Sequence, residues 1–258
     1  MRSADSQTYS GYHARIPGGT LTKNNILIPE PLPAYCTEFP NLVERIANTT
    51  DVFRVQSTAS TTSSSDGKPN QLLINEYSAG QGIAPHEDGA AYHPAVATIS
   101  LGSAQCIDIY QYLSETDPSP PLTHTLREDV KLPSSNTNTA DDAAKQHNGK
   151  AIAAVPLARV FLEPRSLFIM TGSLYQSHLH GISFSDTDIL TPSFVSSVPI
   201  ANLPLLGNPE ISRTIEKEGS YRSERSSRVS LTFRKVEKVM KGGLGAGKGK
   251  GLFGLAKR

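Results

Sequence analysis

The reading of the fold turns on Arg228-Val229-Ser230-Leu231-Thr232-Phe233-Arg234. Polar and apolar residues alternate along it with a period of two, as in an extended chain whose side chains point to opposite faces. Val229, Leu231 and Phe233 belong to one face, and Arg228, Ser230, Thr232 and Arg234 to the other. An edge strand with both arginines in water satisfies this pattern. So does an inner strand, provided that the arginines find partners, because an unpaired buried charge is costly. A dicarboxylate is a suitable partner, since guanidinium and carboxylate meet through a two-pronged, charge-assisted hydrogen bond.

Further strand signals, apolar and β-branched or alternating, fall at Gln71–Tyr77, Ala95–Leu101, Cys106–Tyr112, Val160–Leu162, Ser166–Met170 and Ser177–Ile182. One helix is expected at about residues 38–48, with Pro40 in its first turn, where a missing N–H costs little. Many short strands, frequent turn signals and a single good helix predict a mainly β architecture with flanking helices, a two-sheet jelly roll.

The polar stretches divide the chain. Residues 1–27 read as a flexible N-terminal arm, and residues 28–240 as one domain. That domain carries polar insertions at 57–70, 113–149 and 186–227. Residues 241–258 read as a disordered, basic Gly/Lys-rich tail. From Lys235 to Arg258 there are six Lys, one Arg and a single Glu, a composition that suits phosphate contact or nuclear targeting and equally suits a solvated tail. The formal net charge of +1 excludes a uniformly basic nucleic-acid-coating protein. Cys36 and Cys106 lack metal-binding or redox spacing and fit a reducing compartment. Neither a signal peptide nor a run of about 18 apolar residues is present, so a cytoplasmic or nuclear protein without membrane contact is expected.

The candidate chemistry begins at Pro85-His86-Glu87-Asp88-Gly89. On an extended segment His86 and Asp88 share a face, and an imidazole with a carboxylate makes two adjacent metal ligands. Alone the pattern is weak, and a solvated turn explains it as well. A second histidine on a neighbouring strand would complete a facial triad that leaves iron(II) three open positions. Ser177-His178-Leu179-His180-Gly181-Ile182 offers two, and geometry does not choose between His178 and His180.

These blocks, in order with Asn75-Glu76-Tyr77, Thr98-Ile99-Ser100-Leu101-Gly102-Ser103 and Leu162-Glu163-Pro164-Arg165-Ser166-Leu167, resemble the AlkB family of dioxygenases over about residues 28–240. The resemblance implies a double-stranded β-helix holding Fe(II), with 2-oxoglutarate and O2 as co-substrates. It places His180 rather than His178 beside His86 and Asp88 as the metal ligands and catalytic centre. It puts Asn75, Tyr77, Arg228, Ser230 and Arg234 against 2-oxoglutarate, one arginine on the distal carboxylate and the other near the metal. Ser230 stands where relatives often carry Asn. Ala90 stands where nucleic-acid-repairing relatives carry an aspartate that reads the damaged base, and much of the family's N-terminal recognition segment is expected to be missing. The activity implied is oxidative demethylation of an N-alkylated, single-stranded nucleic acid by a monomer. The alternatives are action on a protein side chain and a non-catalytic binding module on the same fold.

Overall fold

A computed structural model describes residues 7–9, 12–54, 67–114, 119–122, 150–192 and 196–240. Fourteen strands occur among them: β1 Gln7–Tyr9, β2 Tyr12–Arg15, β3 Gly19–Leu21, β4 Leu27–Pro29, β5 Gln71–Tyr77, β6 Ile83–His86, β7 Ala95–Gly102, β8 Gln105–Gln111, β9 Ala158–Leu162, β10 Leu167–Thr171, β11 His178–Ile182, β12 Thr187–Leu190, β13 Tyr221–Glu224 and β14 Arg228–Arg234. The helices are α1 Ala34–Thr37, α2 Leu42–Thr50, α3 Gly172–Gln176 and α4 Pro209–Glu218.

A six-stranded sheet in the order β1-β2-β5-β14-β7-β10 faces a four-stranded sheet in the order β6-β11-β8-β9, giving the jelly-roll core. The alternation of β14 explains the layering. Leu231 and Phe233 point away from the second sheet and pack with Leu72, Ala97 and the Val43 and Ile46 face of α2. Phe233 is fully buried there, which stabilises by about 1.5–3 kcal/mol. Arg228, Ser230 and Thr232 point between the sheets. On the second sheet, Ile107 and Ile109 pack inward with Tyr77, Leu162 and Ile182. Cys106 and Phe161 point outward, under Leu190, Ile200, Ile211 and Ile215. No described helix is long and apolar enough to cross a membrane.

Several expectations are corrected. The residues expected to form a flexible arm include β2, which pairs with β5 in the main sheet, and β3, which pairs with β4. Pro40 lies before the helix, not in its first turn. Asn41 caps α2, its side chain accepting the Glu44 N–H at 3.1 Å, which satisfies an otherwise orphaned donor. Residues 186–227 are no polar excursion. Asn208 and Pro209 open α4, whose Ile211 and Ile215, four apart, close over the outer face of the second sheet. Arg225 anchors this region: its guanidinium grips Asp188 at 2.5 and 2.7 Å and also donates to the Ser183 and Ser185 carbonyls. Asn70, expected in a loose loop, exchanges two 2.8 Å hydrogen bonds with the Val236 backbone. Leu113 and residues 121–122 pair with the backbone at 151–153. Residues 55–66, 115–118, 123–149 and 241–258 lie outside the described residues, and with them the remainder of the expectations for those stretches.

Candidate active site

His86 and His180 are direct partners across the antiparallel β6–β11 pair, which brings their Cβ atoms to about 5 Å. Their ring centroids are 4.4 Å apart, tilted by 50°. The close approach of the two strands depends on Gly181, where an added Cβ would meet the Ile83 carbonyl and Pro85 nitrogen at 3.0 Å. His86 Nδ1 lies 2.9 Å from the Ala84 carbonyl. A carbonyl only accepts, so Nδ1 is the donor of this contact, which leaves Nε2 as the nitrogen that could face a metal. Burial, and then His86, lower the His180 pKa to about 4, against a smaller opposing effect of Asp88. This ring is neutral at neutral pH, as a metal ligand must be.

Asp88 follows β6, before a left-handed turn at Gly89 with φ 90°. Its Oδ2 lies 3.9 Å from His180 Nε2, and its Oδ1 lies 3.7 Å from Arg234 Nη1. Oδ2 is buried without a hydrogen-bond partner among the described residues. His178 turns elsewhere: its Nδ1 donates to the Ser173 carbonyl at 2.8 Å. His86, Asp88 and His180 line one cavity between the sheets, together with Asn75, Tyr77, Arg228 and Ser230.

The three side chains have the identities of a facial triad, and an orphaned carboxylate oxygen is what such a site leaves for a cation. Among the described residues, however, no set of three His, Cys, Asp or Glu side chains is already arranged to hold a metal ion. Ligands at right angles on bonds of about 2.0–2.2 Å are roughly 3 Å apart, so the Asp88–His180 pair must close by about 1 Å. The donors fit Fe(II) in kind and require that contraction.

Arg228 is 2% exposed. Its Nη2 donates to Ser100 Oγ at 2.9 Å, its Nε has no partner, and it forms no ion pair among the described residues. Burial lowers its pKa, partly countered by Tyr77 and reinforced by Arg225. The Tyr77 ring lies 5.8 Å from the guanidinium, and Asn75 Nδ2 reaches the Tyr77 hydroxyl at 3.3 Å. A buried cation without an acid, beside two polar side chains, suits the carboxylate of a small anion. Arg234 stands on the Asp88 side, stacked at 4.2 Å on the Tyr92 ring.

The sequence reading missed Ser100, Tyr92, Tyr112 and Tyr175. Ser100 lies opposite Ser230 in the β7–β14 register, a pairing that follows once both strands are aligned. The tyrosines reach the site through loops and a short helix, and no local pattern marks them.

The model of the 2OG-Fe(II) oxygenase superfamily matches residues 2–234. The probable RNA/DNA demethylase ALKBH6 of Danio rerio is 31% identical over 179 residues, which are 69% of this chain and 58% of that protein. The tRNA (carboxymethyluridine(34)-5-O)-methyltransferase alkbh8 of Xenopus tropicalis is 27% identical over 229 residues, 88% of this chain and 25% of that protein. The chain thus spans little over half the length of the first relative and a quarter of the second. The solved structure of OsALKBH1 aligns with a TM-score of 0.41 and 15% identity, over 91% of this chain and 86% of its own.

Proposed function

The chain belongs to the 2OG-Fe(II) oxygenase superfamily, and we propose that it is an Fe(II)- and 2-oxoglutarate-dependent dioxygenase that demethylates an N-alkylated nucleic acid. The observation that carries the co-substrate assignment is the buried Arg228 guanidinium. It has no carboxylate partner among the described residues and shares a cavity with His86, Asp88 and His180.

Bound iron(II), with 2-oxoglutarate and dioxygen, supplies an oxidation in which the oxo acid leaves as succinate and carbon dioxide while one oxygen atom enters a substrate C–H bond. When that carbon is an N-methyl group, it departs as formaldehyde and frees the amine. The chain does the holding. His86 and His180 would present imidazole nitrogens to the metal, and Asp88 a carboxylate oxygen. Arg228 takes the distal carboxylate of the co-substrate, with Tyr77, Asn75 and Ser230 as its polar surround. Arg234 occupies Asp88 Oδ1 and so leaves Oδ2 for the metal. Ile107, Phe168 and Met170 wall the cavity with apolar surface, which excludes water.

The substrate class is supported by the relative named as a probable RNA/DNA demethylase. Succinate and formaldehyde release are measured with Fe(II) and 2-oxoglutarate, with and without a single-stranded oligonucleotide containing N1-methyladenine. Release of both products stimulated by the methylated strand supports the reading. Oligonucleotide-independent succinate release moves the substrate to another class, such as a methylated protein side chain. Absence of any 2-oxoglutarate turnover ends the enzymatic reading.

A further inference from the structure

Asp88 is the one candidate ligand that no strand holds, because the β6–β11 register ends at His86. Its two neighbours are nevertheless tied down, each by a tyrosine from a different part of the fold. Tyr112, just beyond β8, donates its hydroxyl to Glu87 Oε1 at 2.8 Å. Tyr175, on α3, donates its hydroxyl to the Gly89 carbonyl at 3.1 Å. Tyr112 follows β8 and Tyr175 lies on α3, so the residues on either side of Asp88 are held from two different elements, while its carboxylate keeps an oxygen without a hydrogen-bond partner among the described residues.

We propose that Tyr112 and Tyr175 are positioning residues for Asp88, a two-sided clamp that sets how readily its carboxylate closes onto a metal shared with His86 and His180. The proposal rests on the reading of those three residues as ligands. The closure of about 1 Å that metal binding requires is what makes the clamp matter. Flanks fixed by two hydroxyls confine the carboxylate to a small arc in front of His180, whereas a loose segment would lose conformational entropy on binding. Both hydroxyls remain donors throughout the neutral range. Burial raises the Tyr112 pKa to about 12, with Glu87 adding to it, and burial raises that of Tyr175 further. Tyr112 is itself fixed, paired with Ile152 and lying 5.4 Å beneath the Lys150 ammonium, so it is a rigid post.

The clamp predicts a weakening in metal affinity without a loss of fold. Outer hydrogen bonds to metal ligands are typically worth about 10- to 100-fold in affinity. These bonds act one residue away, so about tenfold is expected for each of Tyr112→Phe and Tyr175→Phe. The probe is Mn(II), titrated calorimetrically into the metal-free full chain, with the thermal unfolding midpoint of the metal-free protein recorded in parallel. Glu87→Gln keeps an oxygen that accepts the Tyr112 hydroxyl and should bind Mn(II) like the wild type. Glu87→Ala should match Tyr112→Phe, and combining those two changes should add nothing.

Tenfold weakening with an unchanged midpoint, and retained affinity in Glu87→Gln, support the clamp. Wild-type affinity in both tyrosine variants, alongside a loss in Asp88→Ala, overturns the clamp alone. Wild-type affinity in Asp88→Ala overturns the ligand reading and the clamp with it. A Glu87→Gln variant as weak as Glu87→Ala shows that charge acts, not the hydrogen bond, and removes Tyr112 from the proposal. A midpoint that falls together with affinity makes the tyrosines structural and overturns it.

Discussion

Replacing Arg228 by Met tests the co-substrate site most sharply, because stability and binding should move apart. Arg228 is 2% exposed, donates to Ser100 Oγ at 2.9 Å and lacks an acid partner among the described residues. Met fills similar volume without charge. In the empty protein the change removes a buried, uncompensated cation, which favours folding, and leaves the Ser100 hydroxyl unpaired, which costs about 1 kcal/mol. The net effect on unfolding should be zero or stabilising. Bound 2-oxoglutarate loses its charge partner in a desolvated cavity, and truncation of one member of such a pair costs about 2–5 kcal/mol. At roughly 1.4 kcal/mol per decade, affinity should fall by about 30-fold to several thousandfold. The assay is calorimetric titration of 2-oxoglutarate into the Mn(II)-loaded protein, with the thermal unfolding midpoint measured on the metal-free form. A midpoint several degrees lower with 2-oxoglutarate affinity intact would refute the reasoning, since Arg228 would then hold the sheets together rather than an anion.

Three further outcomes are expected. Burial raises the Cys36 thiol pKa to about 11, and burial, followed by the nearby Asp188, raises that of Cys106. At pH 8 roughly one Cys36 in a thousand is thiolate, so a thiol reagent should label the folded chain hardly at all and both cysteines once unfolded. Because a raised folded-state pKa favours the neutral thiol, the Cys36 contribution to stability is complete below about pH 9 and is lost toward pH 11. Removing residues 241–258 takes away Lys241, Lys248, Lys250, Lys257 and Arg258. If these contact phosphates, single-stranded binding should weaken and its logarithmic salt slope should flatten by up to roughly 3, with uncoupled 2-oxoglutarate turnover unchanged. An unaltered slope in filter binding across salt would dismiss the tail as a nucleic-acid arm. Replacing residues 123–149 by a short Gly-Ser linker should leave Mn(II) affinity intact, whereas a deletion from 113 should weaken it. The longer cut removes the backbone pairing of Leu113 and Leu122 with 151–152 that supports Tyr112.

Legibility in the sequence followed the source of each element's order. Strands β5 and β14 match the sequence reading to the residue, Gln71–Tyr77 and Arg228–Arg234, β14 through its alternation and β5 through its short apolar run Leu72–Ile74. Strand β6 carries His86 but spans four residues including Pro85. Its extended form comes from pairing with β11, which no local pattern announces. The region 186–227 misled through composition. Its Ser, Asp, Glu and Arg residues dominate an average, while Leu190, Ile200, Ile211 and Ile215, well spaced in sequence, converge in space. Of the site, the ligand types and the anion-seeking arginine could be read from spacing, whereas the choice of His180 over His178 required the resemblance. In the structure both histidines share a strand face, but His180 pairs with His86, whereas His178 sits at the strand's first residue, where the Ser173 carbonyl of α3 accepts from its ring.

The same corrections narrow where a phosphate backbone can lie. Arg225 is consumed by Asp188 and two carbonyls inside the fold. Lys235, counted as the root of the basic tail, is 7% exposed and donates to the Phe53 carbonyl. Arg222 is exposed but already engages Glu224 at 2.6 Å and Thr187. A surface pair of this kind is worth at most about 1 kcal/mol, so a phosphate can compete for Arg222 but not for Arg225. Lys150 stands over Tyr112, whose hydroxyl holds Glu87 beside Asp88. If a methylated strand enters past Tyr112, it meets this cation before the His86–Asp88–His180 corner. On that path the Lys150 charge would act close to the target base, whereas the cations of residues 241–258 would act elsewhere along the strand. Lys150→Ala should then raise KM for a short methylated oligonucleotide about as much as for a long one, and tail truncation should penalise the long one alone. Equal length dependence in the two variants would place both sets of cations on the same stretch of backbone and contradict this division.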